Sequence, residues 1–168
     1  MNLIISEPKT LLVPKRERIL IPDVSKLLVP VRDFWETLEF YPLTPKIGPL
    51  RNGVYMIYWK RKQTYAGRSL GQKSNKIQGR LDNHVDKLKD RENISLSEME
   101  CRFFPLDDER WIPVWEEALI AYYQPTWNGS GFGYICDGGK DTYHNRTTPT
   151  QFSVMFPLKT RRIARLEI

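Results

Sequence analysis

The chain has 168 residues, 40% hydrophobic and 27% charged, and no apolar run in it approaches the roughly 18 residues that a membrane-spanning helix needs. Those figures fit one soluble domain with extensions and a sizeable core, with no membrane partner. With 26 Lys and Arg against 20 Asp and Glu, a net charge of +6 and a pI near 9.3, the balance favours a polyanionic partner, because counterions are released when basic side chains meet phosphates.

The opening stretch, MNLIISEPKT, lacks the basic end, apolar run and small-residue cleavage site of a secretory signal, so the expected location is cytoplasmic. In that reducing setting Cys101 and Cys136 are expected as free thiols. Together with His84 and His144 they lack the paired spacing of a zinc site, such as CxxC or HxxxH.

Residues 1–52 carry Pro8, Pro14, Pro22, Pro30, Pro42, Pro45 and Pro49 among basic residues, a pattern that breaks long helices and suits an extended arm. Within the arm, Val31 to Tyr41 is expected as a short helix, with Phe34, Leu38 and Tyr41 at helical spacing. Lys15, Arg16 and Arg18 are candidates for phosphate contact, although for any one of them a solvated basic arm is the favoured explanation. The texture changes at Gly53. GVYMIYW is rich in β-branched and aromatic residues, a polar run from Lys60 to Gln63 follows, and TYAG completes the pattern of two strands joined by a tight turn. From Ile77, apolar residues recur at Leu81, Val85 and Leu88, which predicts a helix. CRFFPL (101–106) suits a third strand. Asp107 and Asp108 can then cap a helix that has Pro113 in its first turn, carries Ile112, Trp115, Leu119, Ile120 and Tyr123, and stops at Pro125. A glycine-rich stretch follows Asn128, and the chain closes on the basic KTRRIARLEI.

Four features carry candidate chemistry, and each has a plain alternative. Tyr55 and Tyr65 lie on the two arms of the predicted hairpin, where tyrosines commonly serve as packing. Arg80 and His84 are one helical turn apart. An arginine beside an apolar stripe usually just lays its stem along it, yet it can also hold a scissile phosphate. Glu116 shares its side of the helix with Ile112, Leu119, Ile120 and Tyr123, whereas Glu117 turns toward Pro113, Ala121 and Gln124. A carboxylate on an apolar face is costly unless it is paired, protonated or bound to a cation, and a salt bridge to Arg80 is the structural explanation. PTWN directly after that helix reads as a helix stop and turn.

Taken together, GVY and the later YAG resemble the two signature halves of the GIY-YIG nuclease family. Arg80 in GRLDNH, Glu116 in EEALIAYYQPTWN and Asn128 follow in the family's order. The segment from Glu116 to Asn128 is similar to that of the bacterial excision-repair incision subunit. RFFPLDDERWIPVWEEALI, WNGSGFG and TTPTQFSVMFP resemble the small type II restriction endonucleases of the class, which also have a histidine four residues past the helix arginine, here His84. The resemblance covers about residues 53–128. Ala66 stands where isoleucine or valine is usual, and Arg68 where many members carry lysine.

The resemblance implies an α/β fold: a small, mainly antiparallel three-stranded sheet flanked by helices. The arm (1–52) would precede the catalytic core (53–128), and a glycine-rich, basic extension (129–168) would follow it. It also implies a sequence-specific endonuclease for double-stranded DNA, working as a homodimer with one Mg²⁺ or Mn²⁺ and accompanied by a DNA methyltransferase. Glu116 would hold the metal and Arg80 the phosphate. Tyr55 would orient or deprotonate the attacking water, with Arg68 and His84 as the nearby positive charge that a tyrosine base requires. Tyr65 and Asn128 would bond around the phosphate and the metal's waters. DNA readers are expected outside the core, in the arm and at Asn145, Arg146 and Gln151, and Arg68 is expected to contact the DNA as well. Competing expectations are a structure-specific, homing or repair-type nuclease with the same chemistry, and a non-catalytic DNA-binding protein that keeps the fold.

Overall fold

The computed structural model describes residues 25–71, 76–130, 132 and 151–159. Strands β2 (Gly53–Trp59) and β3 (Lys62–Ser69) form the antiparallel hairpin that their composition predicts. Its two-residue turn, Lys60 and Arg61, has φ of 51° and 65°; a pair of positive values matches the twist of the flanking strands. The turn is tied down by Lys60 Nζ to Glu98 at 3.3 Å and Arg61 Nε to Glu100 at 3.0 Å. A register shift leaves Thr64 as an extra residue between the pairs Tyr58–Gln63 and Ile57–Tyr65, and its hydroxyl donates to the Ile57 carbonyl at 2.9 Å.

Strand β4 (Met99–Pro105), expected from CRFFPL, pairs with the other edge of β2 along its whole length. The sheet has four strands rather than three, in the order β1-β4-β2-β3 and antiparallel throughout. The addition is β1 (Tyr41–Pro42), held on β4 by the stacked rings of Tyr41 and Phe103, 4.9 Å apart, and by Leu43 N–H on the Met99 carbonyl. Proline is tolerated there because an outer strand need not donate on both sides.

Helix α1 spans Ser25–Thr37, not Val31–Tyr41, and runs through Pro30. Tertiary anchoring outweighs the missing N–H: Trp35 is fully buried, and its indole donates to the Tyr58 hydroxyl at 2.9 Å. Part of the 1–52 stretch therefore packs on the sheet, with Val31, Trp35 and Leu43 in the core. Helix α2 (Lys76–Leu88) buries the predicted stripe of Ile77, Leu81, Val85 and Leu88. Asp108 caps a short 3₁₀ turn, Glu109–Trp111, that leads into α3 (Ile112–Tyr123) with Pro113 in its first turn. Gln124, left-handed at φ 47°, closes α3 before Pro125. A short helix α4 (Gln151–Met155) completes the described chain.

The strand alternation divides the core in two. One face of the sheet packs Tyr55, Ile57 and Tyr65 against α2 and the rings of Trp127, Phe132, Phe152 and Phe156. The other packs Val54, Met56, Tyr58 and Ala66 against α1 and α3. Among the described residues, no helix is long and apolar enough to cross a membrane.

Candidate active site

Both glycines of the hairpin are dictated by close approach. A methyl group on Gly53 would run into the Phe104 carbonyl oxygen and come within 2.8 Å of the Pro105 Cα. A Cβ on Gly67 would lie 2.7 Å from the Tyr55 hydroxyl and 2.7 Å from Tyr65 Cε1. Gly67 thus leaves the space over which the two tyrosine hydroxyl ends converge, their ring centroids being 6.2 Å apart.

Tyr55 Oη lies 2.9 Å from Nε2 of His84, and both side chains are fully buried. The imidazole is stacked on Phe132 at 4.7 Å and tilted against Tyr65 at 5.0 Å. Burial, reinforced by Lys87 and Arg80, pushes the His84 pKa well below its ordinary value. The ring is therefore neutral at physiological pH, and His84 does not supply the positive charge expected of it beside Tyr55. Among the described residues its Nδ1 has no hydrogen-bond partner. Burial also pushes the Tyr55 hydroxyl well above 10 and that of Tyr65 up to about 12, and Arg80 opposes both shifts. Arg80 Nε donates to the Arg68 carbonyl at 3.3 Å, which fixes the guanidinium stem against β3.

Glu116 approaches from the other face of the sheet. Its side chain is 15% exposed and accepts from Arg68 Nη1 at 2.8 Å, whereas Glu117 is exposed. The helical-wheel distinction between the two carboxylates matches this burial, but the ion-pair partner is Arg68 and not Arg80. Burial raises the Glu116 pKa more than Arg68 and Arg80 lower it, so the carboxylate remains short of positive charge. That is an environment a cation improves. Among the described residues no three His, Cys, Asp or Glu side chains cluster as a metal cage. A single carboxylate instead fits a hard divalent cation that keeps several waters and takes further oxygens from a substrate phosphate.

Asn128 reaches the site's edge in an unexpected role. Its Oδ1 accepts from Ala66 N–H and its Nδ2 donates to the Ala66 carbonyl, both at 2.9 Å. Trp127 N–H adds a 2.7 Å bond to the Thr64 carbonyl. The turn after α3 thus pairs with the open edge of β3 and satisfies backbone groups that the ladder leaves over.

Residues 59–151 match the family model described as the Eco29kI GIY-YIG domain, which is more than half of the chain. The chain belongs to that family. It is a family of GIY-YIG type II restriction endonucleases, so this is a nuclease domain with DNA as its substrate. The match takes in Tyr65, Arg80, His84, Glu116 and Asn128, and it begins at the end of β2, just after Tyr55. The pairing of Tyr55 with Gly67 across the hairpin supplies the link. No curated protein matches the chain.

The structure brings Tyr55, Tyr65, Arg68, Arg80, His84 and Glu116 together around β3. Gln151 opens α4 and is exposed, while Lys15, Arg16, Arg18, Asn145 and Arg146 lie outside the described residues. Of the four side chains weighed for zinc, Cys101 is buried in the core with its thiol pushed up to about 12, and Cys136 and His144 also lie outside. Sequence reading missed the Arg68–Glu116 pair and the Asn128 clamp. The only signals for them were the charge after YAG and the asparagine after the helix stop.

Proposed function

We propose that the protein is a sequence-specific endonuclease for double-stranded DNA of the type II restriction class. It would act as a homodimer on a short palindrome, with a DNA methyltransferase as its cellular companion. One observation carries this reading: a tyrosine hydroxyl held 2.9 Å from a neutral, buried imidazole, with Arg80 beside it. A protein that only bound DNA would have no use for a buried tyrosine–histidine pair with an arginine beside it.

In this reading the Tyr55 hydroxyl accepts a proton from the attacking water while its own proton passes to His84 Nε2. No free tyrosinate forms in this relay, although burial also weakens the imidazole that takes the proton. Arg80 holds a non-bridging oxygen of the scissile phosphate and shares its growing charge. Asn128 acts through the strand, by fixing the backbone on which Tyr65, Gly67 and Arg68 are mounted. Glu116 would hold one Mg²⁺ (or Mn²⁺), whose Lewis acidity lends several kcal/mol to the departure of the 3′-oxygen.

A digest of several plasmids with Mg²⁺, resolved on a gel, tests the reading directly. Discrete fragments that recur at a common short sequence are expected, and none with Tyr55→Phe. A smear, or uncut plasmid, would refute sequence-specific cleavage.

A further inference from the structure

The proposed chemistry assigns Glu116 a divalent ion, and Arg68 is the cation expected to contact DNA, yet in the free protein the two hold each other. Arg68 Nη1 sits 2.8 Å from Glu116 Oε2, the carboxylate largely covered and the guanidinium 38% exposed. A guanidinium and a divalent ion on one carboxylate repel each other, so the bond to Arg68 weakens Glu116 as a metal ligand, and an Arg68 held there is not free to meet DNA.

The Arg68 backbone is fixed: it pairs with Val54 in the ladder, and its carbonyl accepts from Arg80. Its side chain is not fixed in the same way, since the Glu116 bridge is the one ion pair it makes among the described residues and over a third of its surface is open. A rotation about side-chain bonds therefore carries the guanidinium from Glu116 toward solvent without disturbing the strand. The planar fork of arginine suits both a carboxylate and a phosphate.

We infer that Arg68 is an exchange cation: it occupies Glu116 in the free enzyme and excludes the divalent ion until a DNA phosphate draws it away. Metal binding and DNA binding are then coupled through one side chain, and the coupling must be reciprocal. The enzyme would hold its metal poorly without DNA. This inference rests on the assignment of Glu116 as the metal ligand, and the test separates the two.

The test is Mn²⁺ binding followed by the paramagnetic signal of the free ion, for wild type, Arg68→Met and Arg68→Met/Glu116→Gln, each without and with a non-cleaved phosphorothioate duplex. Without DNA, Arg68→Met should bind Mn²⁺ about tenfold more tightly than wild type, toward the lower end of usual coupling between sites. Duplex should tighten Mn²⁺ binding by a similar factor in wild type and much less in Arg68→Met. Arg68→Met binding as weakly as wild type, while circular dichroism shows both folded, would overturn the exchange. If Arg68→Met tightens binding but the added Glu116→Gln leaves that affinity unchanged, the ion sits elsewhere, and the assignment of Glu116 is what fails. Rescue of wild-type behaviour by Arg68→Lys would mark the effect as one of charge at that position, not of lost packing.

Discussion

The sharpest consequence of this geometry is at Gly67. Alanine there is acceptable to a β-strand, so any defect must come from what its methyl group meets. The added carbon would stand 2.7 Å from Tyr55 Oη, 2.8 Å from Tyr55 Cζ and 2.7 Å from Tyr65 Cε1. Ordinary carbon contacts lie at about 3.5–4.0 Å, so the overlap is about 1 Å against two rings at once. Neither side yields readily: Tyr55 is fully buried, and the backbone of β3 is held by β2 on one side and by Asn128 on the other. Overpacking of this kind costs about 1–3 kcal/mol. The Tyr55 hydroxyl would leave its 2.9 Å contact with His84, and a misplacement of about 1 Å slows catalysis on the order of a hundredfold. Urea denaturation and single-turnover cleavage in Mg²⁺ measure the two effects. Adding Tyr55→Phe removes the nearest contact atom, so the double variant should recover part of the stability that Gly67→Ala loses, a coupling that a double-mutant cycle isolates. Gly67→Ala that cuts at the wild-type rate with unchanged stability would refute the packing argument.

Tyr55→Phe alone should lower cleavage by about 10²–10⁴, the usual range for a lost proton-transfer group, and lower stability by about 1–3 kcal/mol because His84 loses its hydroxyl partner; near-wild-type cleavage would remove the tyrosine from the mechanism. Glu116→Gln should slow single-turnover cleavage about a thousandfold, equivalent to roughly 4 kcal/mol, and Glu117→Gln should stay within about 0.5 kcal/mol of wild type. The reverse order would invalidate the assignment of the two carboxylates. His84 makes stability depend on pH. Its folded-state pKa is depressed, so the unfolded chain binds more protons as pH falls below about 6.5, and stability drops by up to about 1.4 kcal/mol per pH unit. Thermal unfolding between pH 7 and 5 should show this slope in wild type and a flatter profile in His84→Phe; parallel profiles would mean that His84 does not carry it.

What the sequence made legible was local. GVYMIYW announces a strand because β-branched and aromatic residues crowd it, and the stripe from Ile77 to Leu88 announces a helix because the spacing can serve only one face. The same periodicity separated the half-buried Glu116 from the exposed Glu117. The features that were missed depend on long-range contacts. Nothing in the spacing of Pro30 reveals that Trp35, five residues on, is anchored by Tyr58 strongly enough to carry a helix through it. Tyr41 fits a helical stripe as well as a strand, and only its stacking on Phe103 decides. The burial of His84, which lowers its pKa, includes a stacked contact with Phe132, a residue in the glycine-rich stretch that looked like plain loop.

The two halves of the site come from opposite faces of the sheet, and consecutive residues of β3 explain how they meet. Gly67 lies on the α2 face, under the tyrosines, while Arg68, with its side chain on the opposite side as strand alternation requires, reaches Glu116 on α3. In the proposed mechanism a phosphate that meets both Arg80 and Arg68 would lie at the outer edge of β3, where Arg80 Nε donates to the Arg68 carbonyl. That edge is where an exposed strand would otherwise invite another strand to pair. Asn128 closes it at Ala66 with a side-chain amide that mimics a backbone partner, and Trp127 closes it at Thr64. The rim beyond them, at Arg68, carries the charge that the proposed chemistry requires.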